Sequence, residues 1–303
     1  MGKRFNKALK EARGINVDTK YYADSYRDNI YGGRMDEQFV RMFCRGEGKE
    51  LLPKDGNKEK AACIYSSSML AYNFFFWINE DNPFSFGGTD YVKVVFEEQF
   101  RVLKNRNNRA NLDVVLANKD GNTLLILESK FTEHMATKDT CPEISDAYAS
   151  RDSYFQNSNG DEWVSIINNL RRENRGKAYY DGLKQVVCHL IGITNVISNE
   201  DARQWFNNNS WLKHIEGITL KGTERYIFKS IVFHPKTDEE GRRSKEYENM
   251  NRNFIKGINF LPDNLSVEDP ILTYRDVWEA GMKESIKDPK LADYLERYLL
   301  AHA

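Results

Sequence analysis

The chain has 303 residues, of which 40% are apolar and 13% aromatic, so it is long and apolar enough for a large domain with a packed core. Charged residues make up 29% and the net charge is −1, which excludes indiscriminate binding of polyanions through overall charge. The longest apolar run, residues 74–78, is far too short to cross a membrane, and the basic N-terminus lacks the apolar stretch of a signal peptide. We therefore expect a cytoplasmic protein that makes no contact with membranes.

The first part of the chain predicts helices that lead into a sheet. Residues 1–56 are polar, with helical spacing interrupted by glycines, and we interpret them as a helical N-terminal extension. Residues 57–79 predict one long helix, which is buried because its aromatic end is apolar on every side. Residues 91–100, YVKVVFEEQF, are rich in β-branched and aromatic residues and predict the first strand.

A basic run follows this strand directly. Residues 101–109 carry no acid and four basic side chains, Arg101, Lys104, Arg106 and Arg109. Such a run at the edge of a site could contact the phosphates of a nucleic acid, although basic surface loops are also common in proteins that bind none.

The next segment, NLDVVLANKDGNTLLILESK, predicts two strands joined by a tight turn at its Asp-Gly pair. Asp113 lies on the first strand, and Glu128 and Lys130 end the second. Side chains alternate along a strand, so Glu128 and Lys130 point the same way, and the hairpin can bring Asp113 beside them.

Two neighbouring carboxylates repel each other unless a cation lies between them, and Mg²⁺ binds through one or two carboxylates together with waters and phosphate oxygens. Lys130 would then orient or deprotonate the attacking water or balance charge on a phosphate. This set is typical of a phosphodiester hydrolase. From spacing alone, a simple ion pair between Glu128 and Lys130 at a strand end remains the alternative.

The remainder of the chain predicts helices and one more core strand. Residues 161–172 and 179–193 have helical spacing, and residues 226–233, YIFKSIVF, predict a buried strand that returns parallel to the strand of Lys130. The predicted fold is therefore α/β (α+β), an α-β-β-β-α-β mixed sheet flanked by helices. We expect a core over 57–235 and a helical C-terminal extension over 236–303, packed with residues 1–56 as one globular unit. The C-terminal helices could cover the sheet, form a dimer contact or bind DNA.

Asp113, followed by Glu128, Ser129 and Lys130 after an apolar strand, resembles the PD-(D/E)XK nuclease superfamily, which has the restriction-endonuclease-like fold. Asn111 to Asp113 taken with residues 128–133, ESKFTE, is also similar to a group of bacterial restriction endonucleases. The resemblance covers roughly residues 60–235, and Leu112 stands where the superfamily usually has a proline.

The resemblance implies an endonuclease of a restriction system that hydrolyses DNA with Mg²⁺, for which Mn²⁺ would substitute, and leaves 5′-phosphate and 3′-hydroxyl ends. Asp113, Glu128 and the backbone carbonyl of Ser129 would hold the metal, and Lys130 would position the attacking water. Gln185 would be the helix residue that reaches the phosphate or this water, although a solvated helix face explains it equally well. A homodimer is the expectation for an enzyme that cuts both strands.

Three further residues have informative positions in the sequence. Glu97 and Glu98 end the first strand and must face opposite ways, and we expect Glu98 to be the extra metal ligand. His189 lies one helical turn after Gln185, and we expect it on a solvated face without a role. The alternative functions are a catalytically silent nucleic-acid-binding protein of the same fold, or a DNA repair or processing nuclease.

Overall fold

The structure is a computed structural model, and it describes residues 3–45, 49–54, 56–105, 108–132, 144–174, 180–234 and 238–300. Within these ranges the centre of the protein is a mixed sheet of seven strands. They are β1 (Phe84–Phe86), β2 (Thr89–Arg101), β3 (Arg109–Asn118), β4 (Thr123–Lys130), β5 (Arg225–Val232), β6 (Leu265–Ser266) and β7 (Ile271–Thr273).

The strand order places β4 in the middle of the sheet. Strands β1 to β4 form an antiparallel meander, β5 lies parallel to β4, and both β6 and β7 pair in parallel with β5. Leu124 to Lys130 are buried without interruption, as a central strand covered on both faces requires. This matches the predicted α-β-β-β-α-β order, and the predicted fold class is confirmed.

The hairpin between β3 and β4 forms where the sequence predicts it. Gly121 adopts a φ of +69°, a conformation that residues with a Cβ avoid. The Oδ1 atom of Asn118 accepts hydrogen bonds from the backbone N–H groups of Asn122 and Thr123, which fixes the turn. The turn therefore sets the register in which the two strands pair.

Helices cover both faces of the sheet. They are α1 (Lys3–Arg13), α2 (Glu37–Arg45), α3 (Ser67–Phe75), α4 (Gly160–Asn174), α5 (Tyr180–Ser198), α6 (Glu200–Asn209), α7 (Trp211–Glu216), α8 (Asp238–Lys256), α9 (Tyr274–Val277), α10 (Lys283–Ser285) and α11 (Pro289–Leu300). Helix α3 packs on β3 and β4, and α5 packs on β2 and β3 from the opposite face. None of the helices in the described ranges has the length and apolar composition needed to span a bilayer.

Three expectations about elements are wrong in detail. The predicted helix over 57–79 is shorter, because Ser66 caps α3 by accepting a hydrogen bond from the N–H of Met69, and Lys60–Ala62 form only a 3₁₀ turn. The C-terminal extension is not wholly helical, since β6 and β7 lie in it and widen the sheet. The strand β1 was not predicted at all.

The two terminal extensions contribute to the same hydrophobic core as the sheet. This core includes buried residues from Leu9 in α1 to Leu299 in α11. Arg13 links the two ends: its guanidinium group donates hydrogen bonds to the Oδ1 and carbonyl oxygens of Asn29 and to the Tyr294 hydroxyl, and it lies 4.0 Å from the ring centre of Tyr298. The domain boundaries near residues 56 and 235 stay predictions.

Candidate active site

Pairing of β3 with β4 brings the predicted acidic residues together. Val114 and Leu127 are the last pair at this end of the two strands. Asp113 and Glu128 lie one position beyond that pair, on opposite strands. The backbone N–H of Ser129 donates a hydrogen bond of 2.7 Å to Oδ2 of Asp113. Asp113 is thus tied to the end of β4 while remaining partly exposed.

Lys130 connects β4 with α5. Its Nζ atom donates to Oε1 of Glu128 at 2.5 Å and to Oε1 of Gln185 at 2.7 Å. The side chains of Lys130 and Glu128 are only 6% and 4% exposed. The structure therefore brings Asp113, Glu128, Lys130 and Gln185 into one place, and the ion pair between Glu128 and Lys130 is a buried part of this cluster rather than a surface pair.

Ser129 points to the opposite face of the sheet, as alternation demands. Its hydroxyl donates to the carbonyl of Ser67 at 3.1 Å and shares a hydrogen bond of 2.7 Å with the hydroxyl of Tyr274. These contacts fix the strand end from behind. The proposed use of its backbone carbonyl as a metal ligand stays a prediction.

Glu98 does not reach the cluster, so the expectation for this residue is wrong. Its carboxylate accepts hydrogen bonds from the hydroxyl of Ser210 and from the backbone N–H groups of Trp211 and Leu212, at the start of α7. Burial raises the pKa of Glu98 to about 7, while these hydrogen bonds act in the other direction. Glu98 therefore caps a helix on the far side of β2.

Glu97 takes the place that was expected for Glu98. It lies between the paired residues Phe96–Val114 and Glu98–Leu112, which sets it opposite Asp113. Its backbone has a φ of +51°, unusual for a glutamate in a strand, and its side chain is buried. Predicting this would have required the register between β2 and β3, and no tight turn in the sequence fixes that register.

The carboxylates of this cluster repel one another. Burial raises the pKa of Asp113 well above its ordinary value, and the charges of Glu128 and Glu97 raise it further, against the effect of Lys130 and the N–H of Ser129. Burial also raises the pKa of Glu97 to about 8, helped by the charges of Glu50 and Glu128. A cation placed among these groups would relieve the repulsion.

His189 was expected on a solvated face, and this expectation is also wrong. It is 4% exposed, and the nearby backbone of Asn111 acts to raise the pKa of its ring. Its Nδ1 atom lies 3.5 Å from Oε2 of Glu128. Burial lowers the pKa of His189, and the charge of Lys130 acts in the same direction while that of Glu128 opposes it. The spacing of four from Gln185 was the signal that both residues share one helix face.

The cluster fits a hard divalent cation, on the evidence of its unsatisfied oxygen. Oε2 of Glu128 is buried and has no hydrogen-bond partner. Among the described residues, no three His, Cys, Asp or Glu side chains are arranged to hold a metal ion by themselves. Mg²⁺ does not require that, because it usually keeps several waters and takes one or two carboxylates plus substrate phosphate. Asp113 and Glu128 can supply those carboxylates.

Arg101 ends β2, Arg109 begins β3 and Lys104 lies between them, at the same end of the sheet as Lys130. The guanidinium of Arg101 donates to the carbonyl of Lys104 and lies 5.5 Å from the ring centre of Phe155. The guanidinium of Arg109 donates to Oε1 of Gln99 at 2.8 Å and stacks near Trp205. Arg106 lies outside the described residues. Contact of this connection with nucleic acid stays a prediction.

Most of the chain matches a known protein family. The family model described as restriction endonuclease associating with ARP matches residues 34–299, which is most of the chain. No curated protein and no solved structure matches the chain. The match indicates a nuclease-like role and confirms the predicted restriction-endonuclease-like relationship. The chain belongs to the family of restriction endonucleases associating with ARP.

Proposed function

We propose that the protein is a metal-dependent endodeoxyribonuclease that hydrolyses DNA phosphodiester bonds. The observation that carries the proposal is the convergence of Asp113, Glu128 and Lys130, with Lys130 bound to both Glu128 and Gln185. A buried lysine–carboxylate pair beside a second, repelled carboxylate costs stability without a cation. Such an arrangement is typical of a catalytic site, where pKa values are perturbed.

Each residue has a defined task in this proposal. Asp113 and Glu128 would hold Mg²⁺ or Mn²⁺, with the carbonyl of Ser129. The bound cation would stabilise negative charge on the phosphate and favour deprotonation of the attacking water. Lys130 would orient that water with its ammonium group, and Gln185 holds Lys130 in place. The oxygen of the water attacks phosphorus, the bond to the 3′ oxygen breaks, and that oxygen takes a proton to leave a 3′-hydroxyl and a 5′-phosphate.

The surroundings support DNA as the substrate. The connection that carries Arg101, Lys104 and Arg109 borders the end of the sheet where Lys130 lies, so phosphates could be bound beside the cluster. We further propose a cytoplasmic protein that acts in a restriction system, with a homodimer for cutting both strands. The family's description names an association with ARP, and we propose ARP as a protein partner.

The rival function is a catalytically silent DNA-binding protein of the same fold. One observation favours it: the described residues contain no three-ligand metal group. Measurements of metal binding and of product formation distinguish the two functions. The catalytically silent protein would bind DNA without forming product.

The test is cleavage of supercoiled plasmid by the full chain with Mg²⁺, with Mn²⁺ and after EDTA treatment. The parent should nick or linearise the plasmid only with metal, and Asp113→Ala and Lys130→Ala should each lower the rate by about 100-fold or more. Lys119→Ala is the matched control, because Lys119 lies on the same hairpin, exposed and paired with Glu80, and should cut like the parent. Parent-like cutting by Asp113→Ala and Lys130→Ala would show that the assigned roles are wrong.

A further inference from the structure

Two buried acceptor atoms face each other behind the cluster. Nδ1 of His189 and Oε2 of Glu128 lie 3.5 Å apart, and neither atom has a hydrogen-bond partner. His189 is 4% exposed and Glu128 is 3% exposed, so bulk water does not compensate either of them. A buried polar atom left without a partner costs about 1–3 kcal/mol.

The position of the ring proton decides what Nδ1 can bind. In a neutral imidazole one nitrogen donates and the other accepts. Nδ1 has no hydrogen-bond partner, so the tautomer with its proton on Nε2 directs the lone pair of Nδ1 toward Oε2 of Glu128.

The distance between these two atoms fits one cation bound to both. Ligand distances of about 2.1 Å for an imidazole nitrogen and a carboxylate oxygen give an angle of roughly 110–115° at the cation when the two atoms are 3.5 Å apart. Oε1 of Glu128 already binds Lys130, which leaves Oε2 for this second task. Lys130 thus fixes the carboxylate through its other oxygen.

We propose that His189 Nδ1 and Glu128 Oε2 are neighbouring ligands of a divalent transition metal in the nuclease site. The inference rests on the proposed metal-dependent function and names the class of metal. Imidazole nitrogen suits Co²⁺, Ni²⁺ and Zn²⁺ better than Mg²⁺, which prefers oxygen ligands. Waters and substrate phosphate would supply the remaining ligands.

The test measures metal binding to the full-length protein rather than cleavage. Metal-free parent, His189→Asn and His189→Gln are titrated with Co²⁺ and Mg²⁺ by calorimetry, and the Mn²⁺ form of each is studied by pulsed electron paramagnetic resonance. The parent should bind Co²⁺ more tightly than Mg²⁺, and its Mn²⁺ spectrum should contain the coupling of a directly bound nitrogen. The His189 variants should lose that coupling and bind Co²⁺ at least about tenfold more weakly, with a smaller change for Mg²⁺.

His214→Asn is the matched control, because His214 is exposed and its ring contacts only the carbonyl of Asn208. It should bind Co²⁺ like the parent. If the parent binds metal and Glu128→Gln abolishes binding, yet no nitrogen coupling is present, the role of His189 is wrong and the proposed nuclease stands. If the parent binds no divalent metal, both the role of His189 and the proposed metal-dependent nuclease are wrong. The spectrum of the parent decides the first question even if a His189 variant fails to fold.

Discussion

At the scale of single residues, the carboxylates of Asp113, Glu97 and Glu128 have few hydrogen-bond donors among them. Asp113 receives one backbone N–H, from Ser129, and Glu97 receives the amide of Asn111 at 3.5 Å. Glu128 has the ammonium of Lys130 on one oxygen only. Without a cation, the cluster therefore contains more hydrogen-bond acceptors than donors, and its mostly buried position limits the help that water can give.

Glu97 should make the metal-free protein less stable as the pH rises. The pKa of Glu97 is about 8 in the folded state and near 4.5 in the unfolded state. The stabilisation that comes from holding this carboxyl group protonated is therefore fully present below pH 4.5 and is lost as the pH rises toward 8. Glu97→Gln removes this loss. The variant should gain about 1–3 kcal/mol over the parent at pH 8.5 and little at pH 4.5, as measured by urea denaturation in EDTA.

Glu80→Gln is the control, because Glu80 is exposed and pairs with Lys119 at the surface, and it should follow the parent at both pH values. Adding Mn²⁺ should reduce the advantage of Glu97→Gln, because the cation offsets the same repulsion. An advantage of equal size at both pH values would mean that the carboxylate of Glu97 is not the cause.

The sequence predicted some of these residues and missed others for a physical reason. Asp113, Glu128 and Lys130 follow from alternation and from one tight turn, which are local properties. Glu97 depends on a register and on a φ of +51°, and His189 depends on the rotation of α5 about its own axis. Tertiary packing sets both, so neither the two-residue period of a strand nor the 3.6-residue period of a helix can assign them.

At the scale of elements, the turn between β3 and β4 carries the site. A Cβ atom on Gly121 would lie 2.9 Å from the side chain of Ile218, in addition to the strain of its φ of +69°. Gly217 has the same φ of +69°, but a Cβ there would meet no atom within 4 Å. Substitution of Gly217 therefore tests backbone strain alone, and substitution of Gly121 tests backbone strain together with steric overlap.

Gly121→Ala should cost about 2–4 kcal/mol of stability, and Gly217→Ala only about 1–2 kcal/mol. Urea denaturation measures both. We also expect Gly121→Ala to lower cleavage more than Gly217→Ala, because the turn aligns Asp113 with Glu128. Equal losses of stability in the two variants would show that Ile218 moves aside and that the register tolerates the added methyl group.

Element prediction succeeded where apolar periodicity was long and failed where it was short. Helices α4 and α5 and strands β2 to β5 lie within about five residues of their predicted positions. Strand β6 has two residues and β7 three, too few for any alternation to be seen. Helix α3 begins late because the side chain of Ser66 binds a backbone N–H that a longer helix would have used internally.

At the scale of the whole molecule, Arg13 joins the first helix to the last. Arg13 is 6% exposed, and its guanidinium contacts Asn29, the carbonyl of Ile64 and the rings of Tyr294 and Tyr298. A planar group suits this environment, since it donates in several directions while stacking on an aromatic ring. The ends of the chain are thereby bound to each other beside α3.

Arg13→Lys should therefore destabilise the protein by about 2–4 kcal/mol. An ammonium group cannot both stack on the ring of Tyr298 and donate in several directions, so some of the carbonyl oxygens would lose their hydrogen bonds. Arg27→Lys, at an exposed position, should change stability by less than about 0.5 kcal/mol. Near- and far-ultraviolet circular dichroism should report one common transition for each protein. A separate early transition for the helices would mean that the terminal segments unfold on their own.

Asp113, Glu128 and Lys130 lie on one continuous hairpin, whereas Gln185 and His189 lie on α5. The packing of α5 on the sheet therefore decides whether the helix residues reach the hairpin. Under the proposed function, homologues in which α5 is altered or displaced should keep the hairpin triplet and a folded sheet while losing cleavage.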